Sequence, residues 1–289
     1  MQQAIVRVPG STSNLGPGFD CLGVALQLYN YVTVWRGHGG SPDKMVRQAA
    51  AAFFTRAKRK PFPFRFNITG SVPCSRGLGS SVTVRLGVIQ GLNELCQRPL
   101  KKQDLFHICS ELEGHPDNAA PGLYGGFNVV SHRQRQKFVV SKRLHFVLLI
   151  PDFEVSTTKA RRLLPARISR LDAVENCRNT SLITAAFASQ EYKTLNGVFR
   201  DHLHQPFRKK LIPFLDRVID AAESAGALGG FLSGSGSTIC AVTLRSPNTV
   251  GRAMLRAADS PRASTIITSA DNYGTRILAP SNTRAIGHR

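Results

Sequence analysis

Apolar and polar positions divide this chain into alternating strand-like and helix-like stretches. Phe64–Ile68 alternates and reads as a strand. Ala4–Val8 and Tyr31–Trp35 read as strands bracketing a Gly/Asn/Pro-rich loop, Gly10–Asp20. Leu144–Ile150, with its apolar run Phe146–Ile150, predicts a buried strand. Thr238–Leu244 and Ser264–Thr268 complete the predicted strands. Helical spacing of Val82, Leu86, Ile89 and Cys96, with Leu92 beside them, predicts a helix over Ser80–Gln97. Further helices are predicted over Pro42–Lys60, Leu100–Glu113, Thr157–Leu164, Val174–Ala188, Lys209–Ala225 and Asn248–Ala258. This mixture predicts an α+β protein with a boundary near residue 150 and a frayed, basic tail from Pro280.

Composition narrows the picture. At 289 residues the chain is long enough to bury roughly 70–75% of its unfolded surface without staples. The apolar run at Phe146–Ile150 stops at Pro151, far short of the about 20 residues a membrane span needs. Met1–Pro9 has no apolar signal core, which gives the expectation of a cytoplasmic protein. The six cysteines show neither zinc-ligand nor redox spacing and predict buried free thiols. The net charge of +20 predicts attraction for anions: nucleotides, phosphates or nucleic acid. Its basic residues are dispersed, with short clusters at Lys58–Lys60, Arg133–Lys137 and Arg161–Arg162 and no nucleic-acid-binding motif. A cationic surface around a nucleotide site is therefore expected, and no nucleic-acid partner.

The segment richest in chemistry is Pro73-Cys-Ser-Arg-Gly-Leu-Gly-Ser-Ser81, which runs directly into a predicted helix. Glycines let backbone N–H groups close on an anion, and a helix N-terminus adds about half a positive charge. Ser80 and Ser81 can cap that helix or turn a hydroxyl toward a phosphate-bound Mg²⁺. It is not a Walker A loop, since Gly-Lys-Ser/Thr is absent, and Val82 stands where a dinucleotide fingerprint needs glycine.

Pro73–Ser81 resembles the second motif of the GHMP kinases, Pro-x-x-x-Gly-Leu-Gly-Ser-Ser. Pro9–Gly23 is similar to the first motif in its homoserine-kinase form, and Gly230–Ser237 to the third. The three stand in the family's order. Glu113-Gly-His-Pro-Asp-Asn118, Ala120–Gly126, Thr157–Pro165 and Gln205–Pro213 resemble four further homoserine-kinase segments. Two departures stand out: Ser237 replaces a common proline, and Val82-Thr83-Val84 replaces small alanines.

The resemblance implies a fold and a set of roles. The expected fold is an α+β GHMP kinase, with an N-terminal domain of ribosomal-protein-S5-like type (1–150, ATP-binding) and a C-terminal ferredoxin-like α/β sandwich (151–289). ATP would lie on Pro73, Ser75, Arg76, Gly77, Leu78, Gly79, Ser80 and Ser81, with Thr83 nearby. The acceptor would be held by Asn14, Asp20, Asp117, Thr157, Arg161, Arg208 and Gly234. Its carboxylate would take Arg161 or Arg208, and its ammonium Asp20, Asn14 or Asp117. Ser81 with Glu113 would hold Mg²⁺, Glu111 being the alternative acid. Asp117 and Asn118 lie nearest the reacting hydroxyl by family position, and phosphoryl transfer tolerates the lack of an obvious base. His115, within a Gly-His-Pro turn, reads as structural. The family is commonly dimeric, so a homodimer is possible. The implied activity is transfer of a phosphoryl group from ATP to L-homoserine in threonine biosynthesis. The alternatives are another GHMP kinase acting on mevalonate, a sugar or a threonine-like alcohol, or a nucleic-acid-binding protein on this fold.

Overall fold

The computed structural model describes residues 2–38, 43–131 and 134–279. The predicted tail from Pro280, and residues 42 and 133 of two predicted segments, lie outside the described residues.

Two sheets carry the fold. The first holds β1 (Gln3–Ser13), β2 (Leu22–Arg36), β3 (Phe64–Gly70), β4 (Phe127–Val130) and β5 (Arg135–Phe138). The second holds β6 (His145–Ile150), β7 (Gly229–Leu232), β8 (Ile239–Thr243) and β9 (Ser264–Thr268). The last strand, β10 (Arg276–Leu278), returns to pair antiparallel with β1. The orders are β10-β1-β2-β4-β5, with β3 also paired to β2, and β7-β8-β6-β9.

Helices α1 (Lys44–Ala57), α2 (Ser80–Leu95), α3 (Lys102–Glu113) and α4 (Ala119–Tyr124) belong with the first sheet. Alternate positions of β1 and β2, among them Val6, Val8, Val32 and Val34, share one core with Val46 and Phe53 of α1 and Leu86 and Ile89 of α2. The remaining helices are α5 (Thr157–Arg162), α6 (Arg170–Ser189), α7 (Gln205–Arg208), α8 (Leu215–Ser224) and α9 (Pro247–Ala258). β6 is apolar from Phe146 onward, and both its faces are covered. Val147 and Leu149 pack with Val218 of α8 and Met254 of α9, while Phe146 and Leu148 join Ile183 and Phe187 of α6.

Several expectations change. The predicted loop Gly10–Asp20 is strand as far as Ser13, and the turn itself is confined to Asn14–Cys21. The single helix expected over Lys209–Ala225 is instead a 3₁₀ turn at Lys209–Leu211 followed by α8. Pro213 between them has no N–H to continue a helix. The cysteines are free, but only Cys109 and Cys240 are buried, while Cys74 and Cys177 are exposed. No helix of the described residues is long and apolar enough to cross a membrane.

Candidate active site

A cavity of about 1290 Å³ lies between the two halves of the chain. One wall is the turn Cys74–Gly77 and Gly79–Ser81, where α2 begins. The cap residue of α2 is Gly79, which supplies no side-chain capping bond, and no acid stands in the first turn. The leading N–H groups of α2 are thus left for a ligand, and the helix dipole favours an anion there.

This turn is held by very close packing. Gly77 and Gly79 have φ of 74° and 68°, the left-handed region. A β-carbon on Gly77 would run into the Ser233 carbonyl oxygen, and one on Gly79 into the Ser11 hydroxyl. Ser233 Oγ donates to the Gly77 carbonyl at 2.7 Å, and Ser11 N–H donates to the Leu78 carbonyl at 3.0 Å. The first and third motifs therefore clamp the second from either side. Ser237, in place of the common proline, donates to the Phe153 carbonyl at 2.6 Å. Pro73, Leu78 and Thr83 do not line the cavity. Leu78 is in the core, and Thr83 is fully buried, accepting from Asn30 Nδ2 and donating to the Ser80 carbonyl. The Arg76 side chain donates to the Pro151 and Cys74 carbonyls and pairs with Glu154, and so braces the loop.

Beside this wall, Ser81 Oγ donates to Glu113 Oε2 at 2.9 Å, and Arg85 Nη1 donates to Glu113 Oε1 at 2.7 Å. A hydroxyl and a carboxylate oxygen meeting at the head of α2 are a donor set that suits a hard divalent cation. Glu111 is elsewhere: it pairs with Arg56 on the surface and does not line the cavity. Met45, Ile68, Val84 and Leu112 give the cavity an apolar recess.

The other end of the cavity is a cluster of paired charges. Asp20 accepts from both terminal nitrogens of Arg161, at 2.9 and 2.6 Å. Asp20 N–H in turn donates to Asn14 Oδ1, and Asn14 Nδ2 to the Gly234 carbonyl. Arg208 is 2% exposed and donates from Nη1 to the same Gly234 carbonyl at 3.0 Å. The Phe19 ring is shared by the two guanidiniums, 5.2 Å from that of Arg161 and 5.0 Å from that of Arg208. Thr157 Oγ1 is 3.2 Å from Ser235 Oγ at the rim.

His115 and Asp117 form a third pair, Nδ1 to Oδ1 at 2.7 Å. Burial pushes the His115 pKa down, but the hydrogen bond and charge of Asp117 outweigh it and leave it raised. Burial would raise Asp117, yet His115, Ser13 and Arg161 hold it below the usual carboxylate range. Asn118 is committed to its own scaffold: its Oδ1 accepts from Ser11 Oγ, and its Nδ2 donates to Ser13 Oγ. It thereby ties the first motif to the cavity floor. Burial, then the Arg161 charge, lower Arg208 to about 10, so it stays cationic at neutral pH.

The structure thus brings Asn14, Asp20, Asp117, Asn118, Thr157, Arg161, Arg208, Gly234, Ser81 and Glu113 to one cavity. His115, read from sequence as structural, lines it too and carries a charge partner; its two-residue spacing from Asp117 was the available signal. Phe19 and Arg85, which sequence reasoning passed over, also line it.

Comparison with known proteins identifies the family. Residues 44–126 match the GHMP kinase N-terminal domain, and residues 183–260 the GHMP kinase C-terminal family. A homoserine kinase of Caldicellulosiruptor bescii is 40% identical over 255 residues, covering 82% of this chain and 83% of the relative. One from Moorella thermoacetica is 38% identical over 273 residues, covering 88% and 92%. A crystal structure of homoserine kinase from Cytophaga hutchinsonii superposes with a TM-score of 0.87 at 26% identity, covering 96% and 98%. A mevalonate kinase at 16% identity superposes with a TM-score of 0.70 over 93% of this chain and 99% of its own, a likeness of fold alone. The chain belongs to the GHMP kinases, a family of ATP-dependent phosphotransferases, and within it to the homoserine kinases.

Proposed function

We propose that this kinase transfers the γ-phosphoryl group of ATP to the side-chain hydroxyl of L-homoserine, forming O-phospho-L-homoserine for threonine biosynthesis. One observation carries the reading: a single cavity joins a helix N-terminus without a side-chain cap to a pocket of oppositely charged side chains, Arg208 and Asp117 among them buried. The first suits a polyphosphate, and the second suits a small zwitterion.

In this reading the residue 1–150 half holds the nucleotide, and the half from 151 contributes Thr157, Arg161, Arg208 and Gly234 to the acceptor. The polyphosphate lies on the amides of Ser75–Ser81, and the base in the recess of Met45, Ile68, Val84 and Leu112. Ser81 and Glu113 would hold Mg²⁺, which supplies neutralisation of the phosphate charge when bound. Arg208 takes the substrate carboxylate, because Arg161 is already engaged on both nitrogens by Asp20. Asp20 and Asp117 receive the ammonium. No side chain is required as a strong base: alignment and charge stabilisation dominate a loose transition state. Asn118, held by Ser11 and Ser13, fixes the floor beneath the reacting hydroxyl.

An ADP-release assay with a panel of alcohols tests this. L-Homoserine is expected to be phosphorylated efficiently. 4-Hydroxybutanoate, lacking the ammonium, and 3-aminopropan-1-ol, lacking the carboxylate, are each expected to lose roughly 30-fold or more in kcat/KM. Turnover of mevalonate without turnover of homoserine would overturn the assignment.

A further inference from the structure

His204 does not line the cavity, and its side chain is wholly buried, yet it touches the residue on which acceptor binding depends. It immediately precedes α7, four residues before Arg208. Arg208 Nη1 lies 3.3 Å from His204 Nδ1, and a guanidinium nitrogen can only donate. The imidazole Nδ1 must therefore be bare and accepting. The proton then sits on Nε2, which lies 2.9 Å from the Gly16 carbonyl oxygen and donates to it. Only one neutral tautomer satisfies both contacts; the imidazolium would set an N–H against the guanidinium.

The surroundings keep that tautomer in place. Asp201 stands 3.5 Å from Nε2, but Oδ2 of Asp201 already accepts from the backbone N–H groups of His204 and Gln205. The ring packs against Phe19, 5.2 Å between centroids, and Phe19 in turn contacts both guanidiniums. Burial depresses the His204 pKa to about 4, with Asp201 opposing and the Arg208 charge reinforcing the shift. Arg208 is fixed at Nη1 by His204 and Gly234, while its Nε has no partner among the described residues. Arg208 nonetheless lines the cavity, so a side of its guanidinium beyond Nη1 faces the space a ligand would fill.

We infer that His204 is a positioning residue for the acceptor: as the Nε2–H tautomer anchored on Gly16, it holds one nitrogen of Arg208 and frees the rest of the guanidinium for the substrate carboxylate. The inference rests on the proposed function for the identity of that carboxylate. It also accounts for the link between the first motif and α7, since the Gly16 carbonyl orients the histidine that orients the arginine.

Two substitutions separate this role from simple packing. Asparagine places an amide oxygen near the position of Nδ1, and glutamine places an amide nitrogen near that of Nε2. His204→Asn should keep the homoserine KM within about threefold of the parent, because the acceptor facing Arg208 survives. His204→Gln should raise it about tenfold or more, with the ATP KM unchanged in both. Equal rises in the two variants, or matching rises in the ATP KM, would reduce His204 to packing and overturn the inference. Nitrogen-15 spectra of the unmodified enzyme decide the tautomer without reference to any substrate. The expected signal is Nε2–H with a bare Nδ1 at pH 7, persisting at pH 5.5. An imidazolium, or a proton on Nδ1, contradicts the inference even if the two variants fail to fold. If homoserine is not turned over at all, the functional assignment fails, while the tautomer result still stands or falls by itself.

Discussion

The two ends of the cavity are built on different principles. The end proposed for phosphate is one contiguous segment, Cys74–Ser81, which offers backbone amides and a helix terminus. The acceptor end draws Asn14, Asp20, His115, Asp117, Arg161 and Arg208 from several separate stretches of chain. Its charges are mostly paired with one another: Asp20 with Arg161, and His115 with Asp117. A backbone cradle recognises any polyphosphate of the right shape and needs glycine to admit it. A pocket of paired ions recognises a zwitterion, since each end of the ligand finds its opposite charge already ordered. In the proposed reading, reaction class resides at one end and substrate choice at the other.

Substitutions at the two ends should fail differently. Gly79→Val forces a branched side chain into left-handed backbone and against the Ser11 hydroxyl. It is expected to lower kcat for every acceptor by about 100-fold or more, and unimpaired turnover would break the cradle account. Arg208→Ala should leave the ATP KM alone and raise that of homoserine roughly 30- to 150-fold, the loss of about 2–3 kcal/mol from a buried charged hydrogen bond. Equal effects on both substrates would erase the division between the ends. Glu113→Gln should shift the Mg²⁺ concentration for half-maximal rate about tenfold upward; an unchanged titration would remove Glu113 from the metal's ligands. Asp20→Asn should raise the homoserine KM about tenfold yet scarcely move the melting temperature, because the Asp20–Arg161 pair is about one-third exposed.

The smallest expected effect is on acid stability. The folded-state pKa of His204, about 4, lies below its unfolded value near 6.5, so the folded protein binds fewer protons. Stability is then full above pH 6.5 and falls as pH drops below it. His115 has the opposite sign: its raised value stabilises the fold below about pH 6.5, and that contribution is lost as pH rises through the folded pKa. His204→Asn should flatten the acid limb of the melting curve by roughly 1 kcal/mol between pH 7 and 5.5. A parallel curve would show that His204 does not set that limb.

What could be read from residues alone follows the same divide. The glycine-rich turn and α2 were legible because their rules are local: left-handed positions, a helix start and an apolar stripe at helical spacing. Ser264–Thr268 agrees to the residue. Strands β4, β5, β7 and β10 escaped, being four residues or fewer. They exist through long-range pairing, as β10 does by joining β1 from the far end of the chain. At the acceptor end, Arg161 and Arg208 were named only through matching flanks. Nothing in the spacing foretells that Asp20 claims the first, because that partner lies 141 residues away. His204 stands one helical turn from Arg208, but no helix was predicted there. His115 was discounted because a Gly-His-Pro turn shows no partner until Asp117 folds back onto it.

The most direct test of the whole account measures how far Arg208 senses one group of the substrate. The rates of homoserine and 3-aminopropan-1-ol phosphorylation are compared in the parent enzyme and in Arg208→Ala. The parent should prefer homoserine by at least about 30-fold, and the variant should treat the two almost alike, because the carboxylate has lost its cation. If the preference survives in Arg208→Ala undiminished, the carboxylate is held elsewhere, and the assignment of the acceptor end is wrong.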